Sequence, residues 1–108
     1  MKQKKEKAGE KTMEISEVRI SLRNEDRLKA YATITFDDCF VVRGLKVIRG
    51  DKGLFVAMPS RKMRDGSYRD VAHPINMDTR NYIQKTILDE YEAQLDKALE
   101  LAKSTIVE

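Results

Sequence analysis

From Val18 to Phe36 apolar and polar residues change places at almost every step. Val18, Ile20 and Leu22 alternate with Arg19, Ser21 and Arg23; after Asn24-Glu25-Asp26, the residues Leu28, Ala30, Ala32, Ile34 and Phe36 alternate with Arg27, Lys29, Tyr31, Thr33 and Thr35. A period of two puts every second side chain on the same side of an extended chain, so this stretch predicts a hairpin with one apolar face and one wet face. Asp37-Asp38 predicts a second turn, Phe40 to about Ile48 a third strand, and Gly50-Asp51-Lys52-Gly53 a third turn by its glycines. Leu54-Phe55-Val56-Ala57-Met58 is apolar on both sides, which predicts a strand covered on both faces. One helix can cover only one of them. The second cover is either the strand's own chain curling over or another subunit, and the open face of a small sheet favours the subunit. Pro59 ends the strand because it has no N–H to give to a ladder. A polar loop, Ser60 to Gly66, then leads into a short strand from Ser67 to Ala72.

The period changes at His73-Pro74-Ile75-Asn76. Pro74 biases His73 away from helical geometry, Asn76 is a good N-cap, and Asp78 falls in the first turn. Tyr82, Ile83, Ile87, Leu88, Tyr91, Leu95, Ala98, Leu99 and Ala102 then recur at spacings of three and four, with no Gly or Pro among them. They predict one long amphipathic helix to about Lys103, whose early part, Ile83 to Leu95, covers the apolar face of the sheet. Its end projects and frays or packs on a partner. The fold class expected is therefore α+β: an antiparallel sheet of about five strands followed by one long C-terminal helix, as a dimer.

Composition narrows the function classes. A chain of 108 residues is the usual size of one domain, and with 41% hydrophobic residues, 6% aromatics and no Trp its core must rest on aliphatic burial. The longest wholly apolar run, Leu54 to Met58, has five residues. A membrane helix needs about 20 and a signal peptide roughly 7 to 15, so the expectation is a cytoplasmic protein with no membrane partner. Cys39 has no second cysteine to pair with and is read as a small core residue; one His leaves too few ligands for an ordinary structural zinc site. No metal or cofactor is expected.

The net charge of +3 is unevenly spread. Residues 1–12 hold five lysines against two glutamates, which accounts for all of it, and lack apolar periodicity. They read as a disordered basic tail preceding a domain at 13–95 and a helix extension at 96–108. Within the neutral remainder, Arg43 to Arg69 carries eight Lys and Arg against two Asp, whereas Asp78 to Glu108 carries seven acids against four bases. A basic centre beside an acidic helical end can attract polyanions without a strongly basic whole.

No catalytic residues are expected. His73 has Asp70 three residues earlier as a possible orienting carboxylate, but no Ser or Cys sits in a nucleophile motif, and His-Pro at a strand-to-helix junction reads as a hydrogen-bonding corner. Cys39 follows two carboxylates, which make it a poor nucleophile. The glycines match neither a dinucleotide fold nor a P-loop, so no small-molecule substrate is indicated. The basic stretch remains. Arg49 and Lys52 in one turn region, Arg61, Lys62 and Arg64 in the next loop and Arg69 just beyond it form a candidate phosphate-binding rim, with Tyr68 placed to stack on a base.

Several blocks also resemble a known family. Met13-Glu14-Ile15 with Val18-Arg19, Ile34-Thr35-Phe36-Asp37-Asp38-x-Phe40-Val41-Val42, Gly53-Leu54-Phe55-Val56-Ala57-Met58-Pro59-Ser60 and Arg69-Asp70-Val71-Ala72-His73-Pro74-Ile75-Asn76 stand in the order and spacing of the SpoVG family, the stage V sporulation protein G group, over about residues 13 to 95. The resemblance implies a small α+β domain that forms a homodimer and binds DNA and RNA as a regulator of gene expression. In spore formers it implies a part in asymmetric septation and sporulation. The family's basic pair after Pro-Ser falls on Arg61-Lys62, here in the order Arg-Lys. The function expected is a site-specific DNA- and RNA-binding regulator. The alternative is a protein-interaction module whose basic rim docks on an acidic partner.

Overall fold

A computed structural model describes residues 13–106. The expected basic tail at 1–12 and the last two residues lie outside the described residues. The order is β1 (Ile15–Leu22), β2 (Leu28–Phe36), β3 (Phe40–Gly50), β4 (Gly53–Ala57), β5 (Ser60–Lys62), β6 (Tyr68–Asp70) and α1 (Met77–Ile106). Strands β1 to β4 form an antiparallel meander in sequence order, and β5 pairs with β6 in a separate two-stranded sheet.

The alternation read from the sequence is the pleat of this sheet. Ala30, Ala32, Ile34 and Phe36 of β2 are buried, as are Leu45 and Val47 of β3 and Val56 of β4. Helix α1 closes that face with Ile83, Ile87 and Tyr91, while Val18, Ile20, Leu22, Leu54, Leu88 and Leu95 pack around the margin. It contacts both edge strands, β1 and β4. Its 30 residues, at about 1.5 Å each, make it about 45 Å long, whereas four strands are only about 14 Å across. The helix therefore overhangs the sheet, and Leu99 and Leu101 are exposed.

Its start is fixed as the sequence indicated. The Asn76 side-chain oxygen accepts from the Thr79 N–H at 2.7 Å, and the Tyr82 hydroxyl accepts from the Ile15 N–H at 2.8 Å, tying the helix to β1. Asp37 and Asp38 both adopt positive φ, 51° and 55°, and the Cys39 N–H bonds the Phe36 carbonyl at 2.9 Å. This is a hairpin turn of the primed type, which Asp tolerates better than most side chains.

Three expectations need correction. Cys39 is exposed, because the turn that follows Phe36 carries it to the hairpin tip, away from the core. The stretch from Ser60 to Gly66 is not all loop: Ser60–Lys62 is a strand, joined to Tyr68–Asp70 by a turn in which Gly66 takes φ 91°. The sheet therefore has four strands rather than five, since Pro59 interrupts the ladder and the last strand pairs locally. Of the two covers weighed for β4, curling of its own chain is not seen among the described residues: Val56 is buried under the helix, and Phe55 on the other face is 40% exposed.

Candidate nucleic-acid interface

The β5–β6 hairpin is built from short-range bonds. The Met63 N–H donates to the Ser67 carbonyl at 2.7 Å and the Gly66 N–H to the Met63 carbonyl at 3.0 Å. Asp65 Oδ1 accepts from the Ser67 N–H at 2.9 Å and from the Ser67 hydroxyl at 2.6 Å. These bonds, the hydroxyl foremost, hold the Asp65 carboxyl below its ordinary pKa. The hairpin is fastened at its base, where the Val71 N–H bonds the Pro59 carbonyl at 2.7 Å. All residues of both strands are exposed.

The register places Arg61 opposite Arg69 and Lys62 opposite Tyr68. Like charges directly across an antiparallel pair are destabilising, and nothing nearby relieves this one: none of Arg61, Lys62, Arg64 and Arg69 forms an ion pair with a described residue. An exposed concentration of uncompensated cations is the electrostatic arrangement that a polyanion would stabilise. Tyr68, 66% exposed, stands among them with its ring free for stacking.

Arg49 and Lys52 do not join this group through a shared turn. The pairing of Gly50 with Gly53 sets their turn at the start of β4, and the hairpin leaves from Pro59 beyond its end. Five residues of β4 at about 3.3 Å each separate the two ends by about 17 Å. A different basic residue lies closer. Arg43 and Gly44 bulge opposite Thr33, and a Cβ on Gly44, where φ is 86°, would stand 3.6 Å from that of Pro59. This brings Arg43 near the hairpin base. Its membership of the basic stretch was the signal; the bulge that positions it was not legible.

Beside the hairpin base runs an apolar ridge. Phe40 is 62% exposed, Val71 66%, Ile75 90% and Met77 64%. Phe40, Met58, Pro59, Ala72 and Pro74 line a recess of about 140 Å³ that continues the ridge inward to Ile34 and Ile83. The His73 ring nitrogen Nδ1 lies 2.9 Å from the Pro74 carbonyl, the hydrogen-bonding corner expected from the sequence, and makes no bond to Asp70. No group of three or more His, Cys, Asp or Glu among the described residues is arranged to hold a metal.

Residues 13–93 match the SpoVG family. The chain belongs to the SpoVG family. Similar proteins include the septation protein SpoVG of an Anaeromyxobacter species, 58% identical over 85 residues that cover 79% of this chain and 88% of that protein. That of Myxococcus xanthus is 56% identical over 86 residues, covering 80% and 87%. That of Caldicellulosiruptor bescii is 51% identical over 82 residues, covering 75% and 93%. The SpoVG match spans the whole sheet, the β5–β6 hairpin and the helix as far as residue 93, so the overhanging end of α1 lies beyond it.

Proposed function

We propose that this SpoVG-family chain is a cytoplasmic regulator that binds specific sites in DNA and RNA as a homodimer, and that it takes part, like the relatives named for it, in septation. The observation that carries the reading is the facing pair Arg61 and Arg69 on an exposed hairpin, flanked by Lys62, Arg64 and Tyr68, with no carboxylate among the described residues neutralising them. Guanidinium and ammonium groups bind phosphates, and a neighbouring aromatic ring adds base stacking. Arg49 and Lys52 would extend the contact from the far end of β4. The reading assigns the protein no catalytic step.

The apolar ridge supports the dimer. Phe40, Val71, Ile75 and Met77 leave more large apolar surface in water than Phe55 does, so the second copy is better placed there than on β4. Light scattering tests this: the expected mass is twice the 12.5 kDa of one chain, and Ile75→Asp should halve it. For function, DNA and RNA cross-linked to the protein in its own cells should be sequenced. Enrichment of defined sites is the expected result. Recovery of acidic proteins with no enriched nucleic acid would favour an interaction module instead.

A further inference from the structure

The sheet has a second face that nothing among the described residues covers. Tyr31 lies between buried Ala30 and Ala32, Lys46 between buried Leu45 and Val47, and Phe55 beside buried Val56, so all three point away from the helix. The register puts Ser21, Tyr31, Lys46 and Ala57 in one row across the four strands, with Phe55 two residues along β4. Two strand spacings and two residues set the backbone positions of Tyr31 and Phe55 about 12 Å apart, with Lys46 between them. The Arg23 guanidinium lies over the Tyr31 ring, 5.2 Å from its centroid. The one carboxylate on this face that meets a cation is Glu17, bonded to Arg19 at 2.8 Å; Arg23 and Lys46 meet no carboxylate among the described residues.

We infer that this open face is a base-stacking platform for single-stranded RNA, separate from the phosphate-binding hairpin. The inference rests on the reading of the chain as a nucleic-acid binder and says which form of nucleic acid the sheet takes. Two aromatic rings, 36% and 40% exposed, offer apolar surface to unpaired bases, Tyr31 on the side that Arg23 does not cover, while Arg23 and Lys46, which meet no carboxylate among the described residues, match the charge of the backbone between them. A duplex keeps its bases stacked inside and cannot use such a surface. Hydroxyls at Ser21 and Thr33, in and next to the Tyr31 row, supply partners for a 2′-OH, the group by which a protein tells RNA from DNA. The surface around Ile75 is dominated by large exposed aliphatic side chains rather than by aromatic rings, so the two exposed surfaces suit different occupants.

The full chain has no Trp, so Tyr31→Trp introduces a single fluorescent reporter. Mixed-sequence RNA of about 12 nucleotides, the matching single-stranded DNA and the DNA duplex serve as probes. The RNA strand should quench the Tyr31→Trp fluorescence, and the duplex should not. Tyr31→Ala and Phe55→Ala should each weaken RNA binding by about 5- to 150-fold while leaving duplex binding and the dimer mass unchanged, and Tyr31→Phe, which keeps the ring, should retain it. Circular dichroism and melting confirm that each variant is folded. Equal RNA binding by wild type and both alanine variants would overturn the platform and leave the hairpin reading standing. So would loss of the dimer in Phe55→Ala, which would give this face to a second copy. Tighter binding of the DNA strand than of RNA would overturn the assignment to RNA. Failure of wild type to bind any of the three probes would instead remove the parent reading, and the platform with it.

Discussion

In the sheet-and-helix body Ala30, Ala32, Ile34 and Phe36 alternate into a core closed by Ile83, Ile87 and Tyr91, whereas every residue of β5 and β6 faces water. The body is held by apolar burial, which is non-directional and grows with the apolar area removed from water. The hairpin is held by a few local bonds around Asp65, Gly66 and Ser67, and it tolerates Arg61 opposite Arg69. A structure selected for stability alone would not set two arginines across from each other. The difference separates the part that fixes the fold from the part that is free to carry function.

The largest effect expected from breaking this contrast lies in the body. Ile87 is fully buried, so Ile87→Ala should lower the unfolding free energy by about 2–5 kcal/mol, measured by urea denaturation. Asn76→Ala removes the cap that holds the Thr79 N–H and should lower it by about 1 kcal/mol in the same experiment. Tyr82→Phe removes the acceptor for the Ile15 N–H; a loss of about 0.5–1.5 kcal/mol is expected, with faster hydrogen exchange at that amide. In the hairpin the sign should reverse. Arg69→Thr removes the like-charge pair and should leave global stability within about 0.5 kcal/mol or raise it slightly.

The smallest effect is a titration. Hydrogen bonds from Ser67 lower the Asp65 pKa, so the turn's support is complete above the ordinary value of 3.8 and is lost as pH falls through the lowered folded value. The Ser67 amide resonance, followed by NMR, should shift with a midpoint below 3.8; a midpoint at or above it would show that the bond does not persist in solution.

How much of this was legible in the sequence follows the same division. The body could be read because burial writes a period: two for Val18 to Phe36, three and four for Ile83 to Leu95. The hairpin could be read only in its second strand, expected over Ser67 to Ala72; Ser60-Arg61-Lys62 buries nothing and leaves no alternation, so its partner strand and the pairing were not legible. The local signal for the turn is Asp65-Gly66, a strong hairpin turn pair. Cys39 departs from its expected core position for a related reason. Its small apolar character suggested the core, but the two preceding Asp residues turn the chain outward before it. Basic residues were legible as a cluster by count, but the actual grouping depends on a strand of five residues that separates Arg49 and Lys52 from the hairpin.

The central claim is that the hairpin contacts phosphate while contributing little to the fold. It is tested most directly by the salt dependence of duplex DNA binding for wild type and for Arg61→Ala/Lys62→Ala. Each phosphate neutralised contributes about −0.9 to the slope of log affinity against log salt. The double variant should melt like wild type, remain dimeric and bind with a slope shallower by about 2 if one copy engages, or about 3 to 4 if both do. A folded, dimeric double variant with unchanged affinity and unchanged slope would contradict the account.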